Sequence, residues 1–223
     1  MRKFFDPKPS LLKPADLVSA ITGKKAGELN LPKRAIVVFN AGDLKGILNK
    51  KKHRLIKEWS GFRLIYGLEG SDTVITRSYY GGPNIASLVE ELSSFGVGEF
   101  VLWGYCGGIG RSLKIGDVII ARGALREDGI SYHYIDGMDE IVYTDWFDEW
   151  ERISKERGFS EGIIWSSDAI YRETGDKIIR YGKKGIAAVE METASFYAVC
   201  LYRKVKGIVF LVVSDLLRDE SWI

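Results

Sequence analysis

The segment EFVLWGYCGGIG (residues 99–110) joins an apolar run to a glycine-rich stretch and gives the clearest indication of the fold. The run FVLWG predicts a buried strand, because it lacks the polar alternation of a strand with one solvated face. Gly107 and Gly108 remove side chains where a backbone bends sharply or approaches a ligand closely, so we predict a turn here. The usual ligand of such a turn is a phosphate, yet this segment carries no cation.

Two common phosphate-binding loops are excluded by the residues after the glycines. No Gly-Lys-Ser/Thr is present there, so the segment is not a P-loop. RSLKIGDVII (residues 111–120) leads quickly into another apolar run, whereas a dinucleotide-binding glycine loop opens a long helix.

Further apolar runs and helix-like segments alternate along the chain. We predict strands at residues 34–40, at two places within 61–82 joined by the turn EGSD, and at 100–104, 117–125, 162–167, 186–190 and 207–215. We predict helices that begin at Asp43 and at Pro83 and helices over residues 176–185 and 191–205. Buried strands interleaved with helices indicate an α/β fold, a three-layer α/β/α arrangement with a central twisted, mostly parallel mixed sheet. We expect a single domain over residues 1–223, with residues 1–33 as an N-terminal extension.

Composition narrows the range of functions. Lys and Arg number 32 against 30 acidic residues, which argues against a dedicated nucleic-acid binder. The basic segment NKKKHRLIK (residues 49–57) is interpreted as a solvated helix face and not as a polyanion site. Two cysteines are too few for a disulfide framework or a four-cysteine metal site, so we expect reduced thiols and no metal. Without an apolar signal core or a long apolar span, we expect no membrane association and a cytoplasmic location. The absence of glutamine suggests a hot habitat.

Polar and glycine clusters follow several predicted strands. Ligands of open α/β sheets bind at the carboxyl ends of the strands, which makes these clusters the candidate site. They are residues 40–43, 79–82, 104–108, 166–168, 190–192 and 214–215.

These clusters together resemble one enzyme family. The segments in question are NAGD (40–43), YYGGPNIASLVEEL (79–92), GYCGG (104–108), SSDAIY (166–171), AVEMETASFY (188–197) and VVSD (212–215). In this order they resemble the trimeric and hexameric nucleoside phosphorylases, which include purine nucleoside, uridine and methylthioadenosine phosphorylases. The resemblance implies a pentosyltransferase that cleaves a small-molecule nucleoside, with phosphate as a candidate co-substrate and no other cofactor. It also implies a homo-oligomer built from dimers, for example a hexamer, in which a neighbour completes each site.

The resemblance places the ribose at the glutamate pair. Cleavage of an N-glycosidic bond develops oxocarbenium charge on the ribose, so the sugar hydroxyls must be held. By resemblance, the Glu192 carboxylate accepts hydrogen bonds from the ribose 2′- and 3′-hydroxyls, Met191 packs against the sugar and Glu190 completes the ribose set. The alternative is that both glutamates only favour the dipole of the helix that follows.

The resemblance places the base at Ser214 and Asp215. In purine-specific relatives an aspartate here, beside a serine, donates a proton or hydrogen bond to purine N7. Ile170 and Tyr171 fall where relatives contact the base. Uracil-specific relatives use a Gln-x-Arg pair, and this chain has no glutamine, so we expect a purine nucleoside of the adenosine, inosine or methylthioadenosine type. Alternatively, Asp215 only caps a strand or turn.

The phosphate subsite departs from the family pattern. Relatives carry phosphate-binding arginines where this chain has Leu102 and Ser60, and a serine or threonine where it has Tyr105. A third arginine is matched at best by Lys45, which can act only as a point charge. The resulting degenerate subsite consists of Gly42, Lys45, Ser60, Leu102, Tyr105 and Gly107.

Two alternatives therefore stay open beside phosphorolysis. One is a phosphate-independent nucleosidase, for which Asp43 is the available carboxylate, although its ordinary role is to cap the helix that follows. The other is a catalytically impaired nucleoside-binding protein. Relatives also continue into a C-terminal helix that covers the base, whereas this sequence ends at VVSDLLRDESWI, so we expect that helix to be absent and Arg218 to be the nearest cation.

Overall fold

The computed structural model describes residues 4–137, 139–218 and 221–223. Its helices are α1 (Pro14–Thr22), α2 (Ala41–Lys50), α3 (Gly82–Ser93), α4 (Ser131–Tyr134), α5 (Asp148–Arg157), α6 (Gly175–Lys183) and α7 (Thr193–Arg203). Its strands are β1 (Arg34–Val38), β2 (His53–Leu55), β3 (Ile65–Leu68), β4 (Thr73–Arg77), β5 (Glu99–Gly108), β6 (Val118–Glu127), β7 (Ile141–Tyr143), β8 (Ser160–Ser167), β9 (Ile186–Glu190) and β10 (Lys206–Leu216). Short 3₁₀ helices span Ala26–Glu28, Lys57–Trp59 and Ile170–Arg172.

All ten strands of the described residues form one mixed sheet. Strands β5, β10, β6, β8 and β9 pair in a closed ring, and β1, β4, β3 and β2 extend from β5 as an open arm. The pairs β1–β4, β1–β5, β5–β10, β6–β8 and β8–β9 are parallel, and the remaining pairs are antiparallel. The predicted α/β class with a mixed sheet is confirmed, while the closure of the ring is a feature that hydrophobic patterns do not reveal.

Strand β5 runs through the centre of the sheet, and the turn predicted at residues 104–108 is wrong. The strand continues to Gly108, because β10 pairs with it as far as Leu216 opposite Gly108. Strand β9 pairs with the same end, with Val189 opposite Gly107. The glycines therefore lie between two neighbouring strands, inside the sheet.

Helices pack over several parts of the sheet. Helices α3 and α7 pack against each other above the largest core cluster, which includes the fully buried Phe100 and Leu102 of β5. Helix α6 contributes Ile178 and Tyr181 to a second cluster around Trp165. In the described part of the chain, no helix is both long and apolar enough to span a bilayer.

The basic segment at residues 49–57 is solvated, but the predicted helix covers only its start. Helix α2 ends at Lys50, and His53–Leu55 is the edge strand of the open arm. Lysine and arginine on an edge strand discourage pairing with other chains.

Strand direction gathers the predicted site residues in two groups, which meet where β9 pairs antiparallel with Gly107 and Gly108 of β5. Strands β1, β4 and β5 are parallel, so the residues after Val38 and Arg77 lie beside the carboxyl end of β5. Strands β8 and β9 are also parallel, with Ser166 opposite Glu190.

Candidate active site

Glu190 is bonded to the first backbone amides of helix α7. Its Oε1 accepts a 2.6 Å hydrogen bond from Ser166 Oγ, and its Oε2 accepts from the amides of Glu192 and Thr193 at 2.8 and 2.9 Å. Burial raises the pKa of Glu190, and these donors partly offset that rise. Because both oxygens accept hydrogen bonds inside the protein, the contacts give Glu190 a structural role, and its ribose contact stays a prediction.

Glu192 links the start of α7 to the start of α3. Its side chain is 5% exposed, and its Oε1 accepts a short hydrogen bond from the Gly81 amide. Gly81 has φ of +96°, a conformation that favours glycine, and this aims its amide at the carboxyl group. Burial raises the pKa of Glu192, and the neighbouring Glu190 charge raises it further. Met191 lies half-buried between the two glutamates.

Asp215 lies at the end of β10, where both of its carboxylate oxygens accept hydrogen bonds. Ser214 Oγ donates to Oδ1 at 2.6 Å, and Trp222 Nε1 donates to Oδ2 at 2.9 Å. The predicted serine–aspartate pair is therefore formed. Trp222, which no motif of the sequence singles out, completes it.

Gly107 makes room for this carboxylate. It stands opposite Asp215 in the β5–β10 register, and a Cβ added to Gly107 would lie 3.2 Å from Asp215 Oδ2 and 2.9 Å from Leu217 Cδ1. The absence of a side chain at Gly107 therefore lets the side chains of Asp215 and Leu217 pack against β5. The glycine pattern alone predicts a ligand cradle instead, because close approach to a ligand and close approach to a side chain leave the same pattern.

Cys106 is a buried cysteine near the carboxyl end of β5. Burial raises the pKa of its thiol, and the charges of Glu190 and Asp215 raise it further. The neighbouring Gly107 pairs with Asp215 of β10 on one side and with Val189 of β9, the residue before Glu190, on the other, so the strands that carry the two carboxylates flank β5. The buried thiol itself is a poor nucleophile.

Ile170 and Tyr171 lie in the 3₁₀ helix after β8, with 53% and 95% of their side chains exposed. The half-buried Glu173, two residues further on, has a pKa raised to about 7, mainly by burial and then by the charge of Asp215. The charge of Asp215 thus acts on the segment that also carries Ile170 and Tyr171. Sequence reasoning does not find Glu173, since a single glutamate in a polar loop has no distinguishing pattern.

Tyr105 and Asp43 form a pair at the predicted phosphate subsite. The Tyr105 hydroxyl donates to Asp43 Oδ1 at 3.0 Å, and the pKa of Tyr105 is raised by burial and by this carboxylate. Asp43 Oδ2 is buried and, within the described residues, has no hydrogen-bond partner. The ordinary role considered for Asp43, helix capping, is wrong: Asn40 is the N-cap of α2, and its Oδ1 accepts from Gly42 N at 2.6 Å.

The other predicted phosphate residues do not form a subsite. Leu102 is fully buried in the core, so it lines no cleft. The Gly42 amide is already bonded to Asn40. Ser60 is exposed and donates to Lys57 O at 2.8 Å, while Lys45 is exposed on α2.

Two arginines lie at the same edge of the sheet. Arg77, at the carboxyl end of β4, lies over the Tyr79 ring at 5.4 Å, and its place at a strand end is the signal by which the sequence could have identified it. Arg218, the predicted nearest cation, donates from Nη1 to Gly108 O at 3.1 Å and to Leu217 O at 2.9 Å. Arg218 is therefore bound to the backbone beside the β5–β10 ends.

Comparisons with known proteins match this arrangement to one superfamily. A family model described as the phosphorylase superfamily matches residues 33–222. A guanosine phosphorylase of Halorubrum lacusprofundi is 31% identical over 139 residues, and a DeoD-type purine nucleoside phosphorylase of Clostridium novyi is 33% identical over 140 residues. These matches cover 59% and 60% of this chain, and the chain spans only 56% and 60% of those relatives.

Two further matches extend over more of the chain. The uncharacterized protein R802 of Acanthamoeba polyphaga mimivirus is 28% identical over 173 residues, which is 76% of this chain and 68% of that protein. The crystal structure of a uridine phosphorylase from Vibrio fischeri has the same fold, with a TM-score of 0.74 and 22% identity over 86% of this chain and 81% of that one.

Proposed function

The chain belongs to the phosphorylase superfamily, in the nucleoside phosphorylase family, and from this premise we propose that it cleaves the N-glycosidic bond of purine nucleosides while using phosphate poorly. The observation that carries the proposal is the Asp215 carboxylate, which accepts from Ser214 and lies across β5 from the strand that carries Glu190. The reaction needs one group at the departing base and another at the sugar, and the strands that carry the two proposed groups flank β5 on either side.

In the proposed reaction the C1′–N9 bond breaks, its electron pair moves to the purine, and an oxygen of phosphate bonds to C1′ in place of N9. Asp215 donates a hydrogen bond or proton to N7, which stabilises the negative charge of the departing base. Glu192 holds the ribose 2′- and 3′-hydroxyls, while Glu190 fixes the backbone that presents Glu192. In its ionised form, which the raised pKa shifts to higher pH, Glu192 also stabilises the oxocarbenium charge that develops on the ribose.

A purine is favoured over uracil by the residues at the base position. The chain has no glutamine for a Gln-x-Arg pair, whereas an aspartate beside a serine suits N7 of a purine. Ile170 and Tyr171, after the carboxyl end of β8, supply exposed apolar surface for such a base. The names of two relatives, guanosine phosphorylase and purine nucleoside phosphorylase, point in the same direction.

Poor use of phosphate follows from the charge of the subsite. A phosphate placed beside Tyr105 would meet the Asp43 carboxylate, and like charges in a partly buried site repel each other strongly. The Gly42 amide and the Leu102 side chain offer no compensating contact, because one is already bonded and the other is in the core. Cations near this end of the sheet include Lys45 on α2 and Arg77 at the end of β4.

Hydrolysis is the second candidate, and the free oxygen of Asp43 favours it. In this reaction a water oxygen attacks C1′, its proton passes to Asp43 Oδ2, and the base departs with the proton from Asp215. The buried Oδ2 atom has no partner in the described residues, so a bound water is a natural donor to it.

The wider setting of the protein stays a prediction. We propose a homo-oligomer assembled from dimers, for example a hexamer, acting on small-molecule nucleosides in the cytoplasm without nucleic acid or membrane partners. The single-domain organisation over residues 1–223 and the hot habitat also stay predictions.

The test is to measure base release from adenosine, inosine, guanosine, methylthioadenosine and uridine, each with and without phosphate. We expect purine release that changes little when phosphate is added at concentrations below about 1 mM. Release of uracil in preference to purines contradicts the proposed substrate class. Strong, saturable stimulation by sub-millimolar phosphate contradicts the proposed subsite.

A further inference from the structure

We propose that Trp222 forms one wall of the base subsite, where its ring stacks on the purine and its indole N–H holds Asp215. This inference rests on the proposed function, because it assigns the base to Asp215. Trp222 Nε1 donates to Asp215 Oδ2 at 2.9 Å, while 77% of the side chain remains exposed. The indole is thus fixed at its polar edge and open on its flat face.

Backbone pairing holds Trp222 at this position. The amide of Leu217 donates to Gly108 O at 2.9 Å, and Leu217 pairs with Trp222 in an antiparallel bridge. Leu216 and Ile223 exchange two further hydrogen bonds, at 2.8 and 3.0 Å. The tryptophan is therefore tied to the β5–β10 ends by main-chain bonds that do not involve its side chain.

The exposed face has the properties of a purine platform. An aromatic ring that leaves its flat face in water beside a hydrogen-bonding carboxylate suits a ligand that is flat and carries an acceptor at its edge. Ile170 and Tyr171 are also exposed. They lie on the segment that carries Glu173, whose pKa the charge of Asp215 helps to raise. A purine bonded to Asp215 through N7 then has apolar surface from two separate segments of the chain.

The indole N–H also has a role in proton transfer. When Asp215 passes a proton to the base, its carboxylate gains negative charge. The N–H of Trp222 and the hydroxyl of Ser214 each donate to one oxygen of that carboxylate, so both stabilise the charge as it forms. Trp222 is therefore a positioning residue for Asp215 as well as a contact for the base.

The experiment separates the ring face from the N–H with two variants and one matched control. Trp222→Phe keeps an aromatic face and removes the donor, and Trp222→Ala removes both. Trp150→Phe is the control, because Trp150 packs on Trp146 and Phe210 and, in the described residues, its Nε1 has no hydrogen-bond partner. Hypoxanthine is added to each protein while tryptophan fluorescence is recorded, and base release from inosine is measured separately.

We expect hypoxanthine to quench the tryptophan fluorescence of the wild-type protein and of Trp150→Phe. In Trp222→Phe we expect most of this quenching to be lost. We expect kcat for base release to fall about tenfold in Trp222→Phe with KM nearly unchanged, and KM to rise as well in Trp222→Ala. In an Asp215→Asn background, Trp222→Phe should cause no further loss, since the N–H acts through the carboxylate.

An unchanged quench in Trp222→Phe overturns the inference, whatever the rate of base release. An equal fractional loss in the wild-type and Asp215→Asn backgrounds overturns the positioning role, because a purely structural effect is additive. Turnover of purine nucleosides without any quench of the wild type overturns the stacking role and leaves the proposed function intact. Failure of the wild type both to bind and to cleave purines removes the proposed function and this inference together.

Discussion

Tyr105 donates a 3.0 Å hydrogen bond to Asp43 across the carboxyl ends of β5 and β1, at the position where the family resemblance places phosphate. This pair presents a carboxylate whose second oxygen is buried and has no partner in the described residues. We therefore propose that the charge of Asp43, as well as the missing arginines, decides which acceptor the reaction uses.

Replacing Asp43 by Asn should improve the use of phosphate. The amide keeps an acceptor for the Tyr105 hydroxyl and removes the negative charge. We expect the apparent affinity for phosphate to rise about tenfold, as removal of roughly 1.4 kcal/mol of repulsion would produce. The measurement is the phosphate dependence of base release from inosine.

Asp16→Asn is the matched control for this variant, because Asp16 is likewise an acidic residue in the first turn of a helix, but in α1. It should leave the phosphate dependence unchanged. If hydrolysis is the reaction, Asp43→Asn should also lower release without phosphate by about 10²-fold, the scale for loss of a general base. An Asp43→Asn protein that behaves as the wild type in both assays contradicts both roles of this carboxylate.

Replacing Leu102 by Arg should unfold the protein without restoring a phosphate site. The Leu102 side chain is fully buried in the core, and an arginine there would be an unpaired buried charge. We expect the free energy of unfolding to fall by about 3 kcal/mol or more, compared with less than about 1.5 kcal/mol for Leu102→Met. Urea denaturation of both variants measures the difference. A stable Leu102→Arg protein with phosphate-dependent activity would show that this position faces the ligand.

The sequence predicts well the features that depend on local pattern. The apolar run at residues 100–104, the helix after Pro83 and the strand before Asp215 are confirmed, because burial and periodicity are properties of each segment alone. The position of Asp215 beside the end of β5 is also expected, from the rule that parallel strands share their carboxyl ends. The approach of the β9 end, which leads to Glu192, does not follow from that rule, because β9 pairs antiparallel with β5.

The features that the sequence misses depend on partners distant in the chain. Gly107 looks like a turn residue, yet it is paired on both sides, by β9 and β10. Glu190 and Glu192 are two residues apart and chemically identical. Their roles differ because of their hydrogen-bond donors. Glu190 accepts from Ser166 and supports the start of α7, whereas Glu192 accepts from Gly81 and lies between the starts of α7 and α3. Trp222 lies beside Asp215 because it pairs with Leu217 in an antiparallel bridge, and no periodicity in the sequence indicates that pairing.

Replacing Glu192 by Gln should weaken nucleoside binding much more than binding of the free base. A neutral amide accepts hydrogen bonds from ribose hydroxyls less strongly than a carboxylate does, whereas the base contacts Asp215. Gln can still accept from the Gly81 amide, so the start of α3 keeps its contact. Calorimetric titration with inosine and with hypoxanthine measures both affinities, and equal losses for the two ligands would remove Glu192 from ribose binding.

The same variant should become more stable than the wild type as the pH rises. The folded-state pKa of Glu192 is raised, by burial and by Glu190, above the unfolded value of about 4.3. The wild type therefore loses stability as pH increases from the unfolded pKa through the folded one, because ionisation is easier in the unfolded chain. A glutamine does not ionise, so its advantage should appear across this window and persist above it.

Thermal unfolding at pH 5 and pH 9 tests this expectation. Glu58→Gln, at an exposed position, is the control and should show no gain with pH. An unfolding temperature of Glu192→Gln that falls relative to the wild type between the two pH values would contradict the raised pKa.

Replacing Gly107 by Ala should damage catalysis more than stability. The new Cβ would lie 3.2 Å from Asp215 Oδ2 and 2.9 Å from Leu217 Cδ1. The leucine end is flexible and can move aside, but the displaced Asp215 then loses its alignment with the base. We expect kcat for purine release to fall by about 10- to 100-fold, the usual cost of moving a reacting group by a fraction of an ångström to one ångström.

Gly98→Ala is the matched control, since a Cβ there meets nothing within 4 Å, and it should keep wild-type activity. Steady-state kinetics beside urea denaturation separates the two effects, and a Gly107→Ala enzyme with normal kcat would show that Asp215 tolerates displacement and is not the group that meets the base.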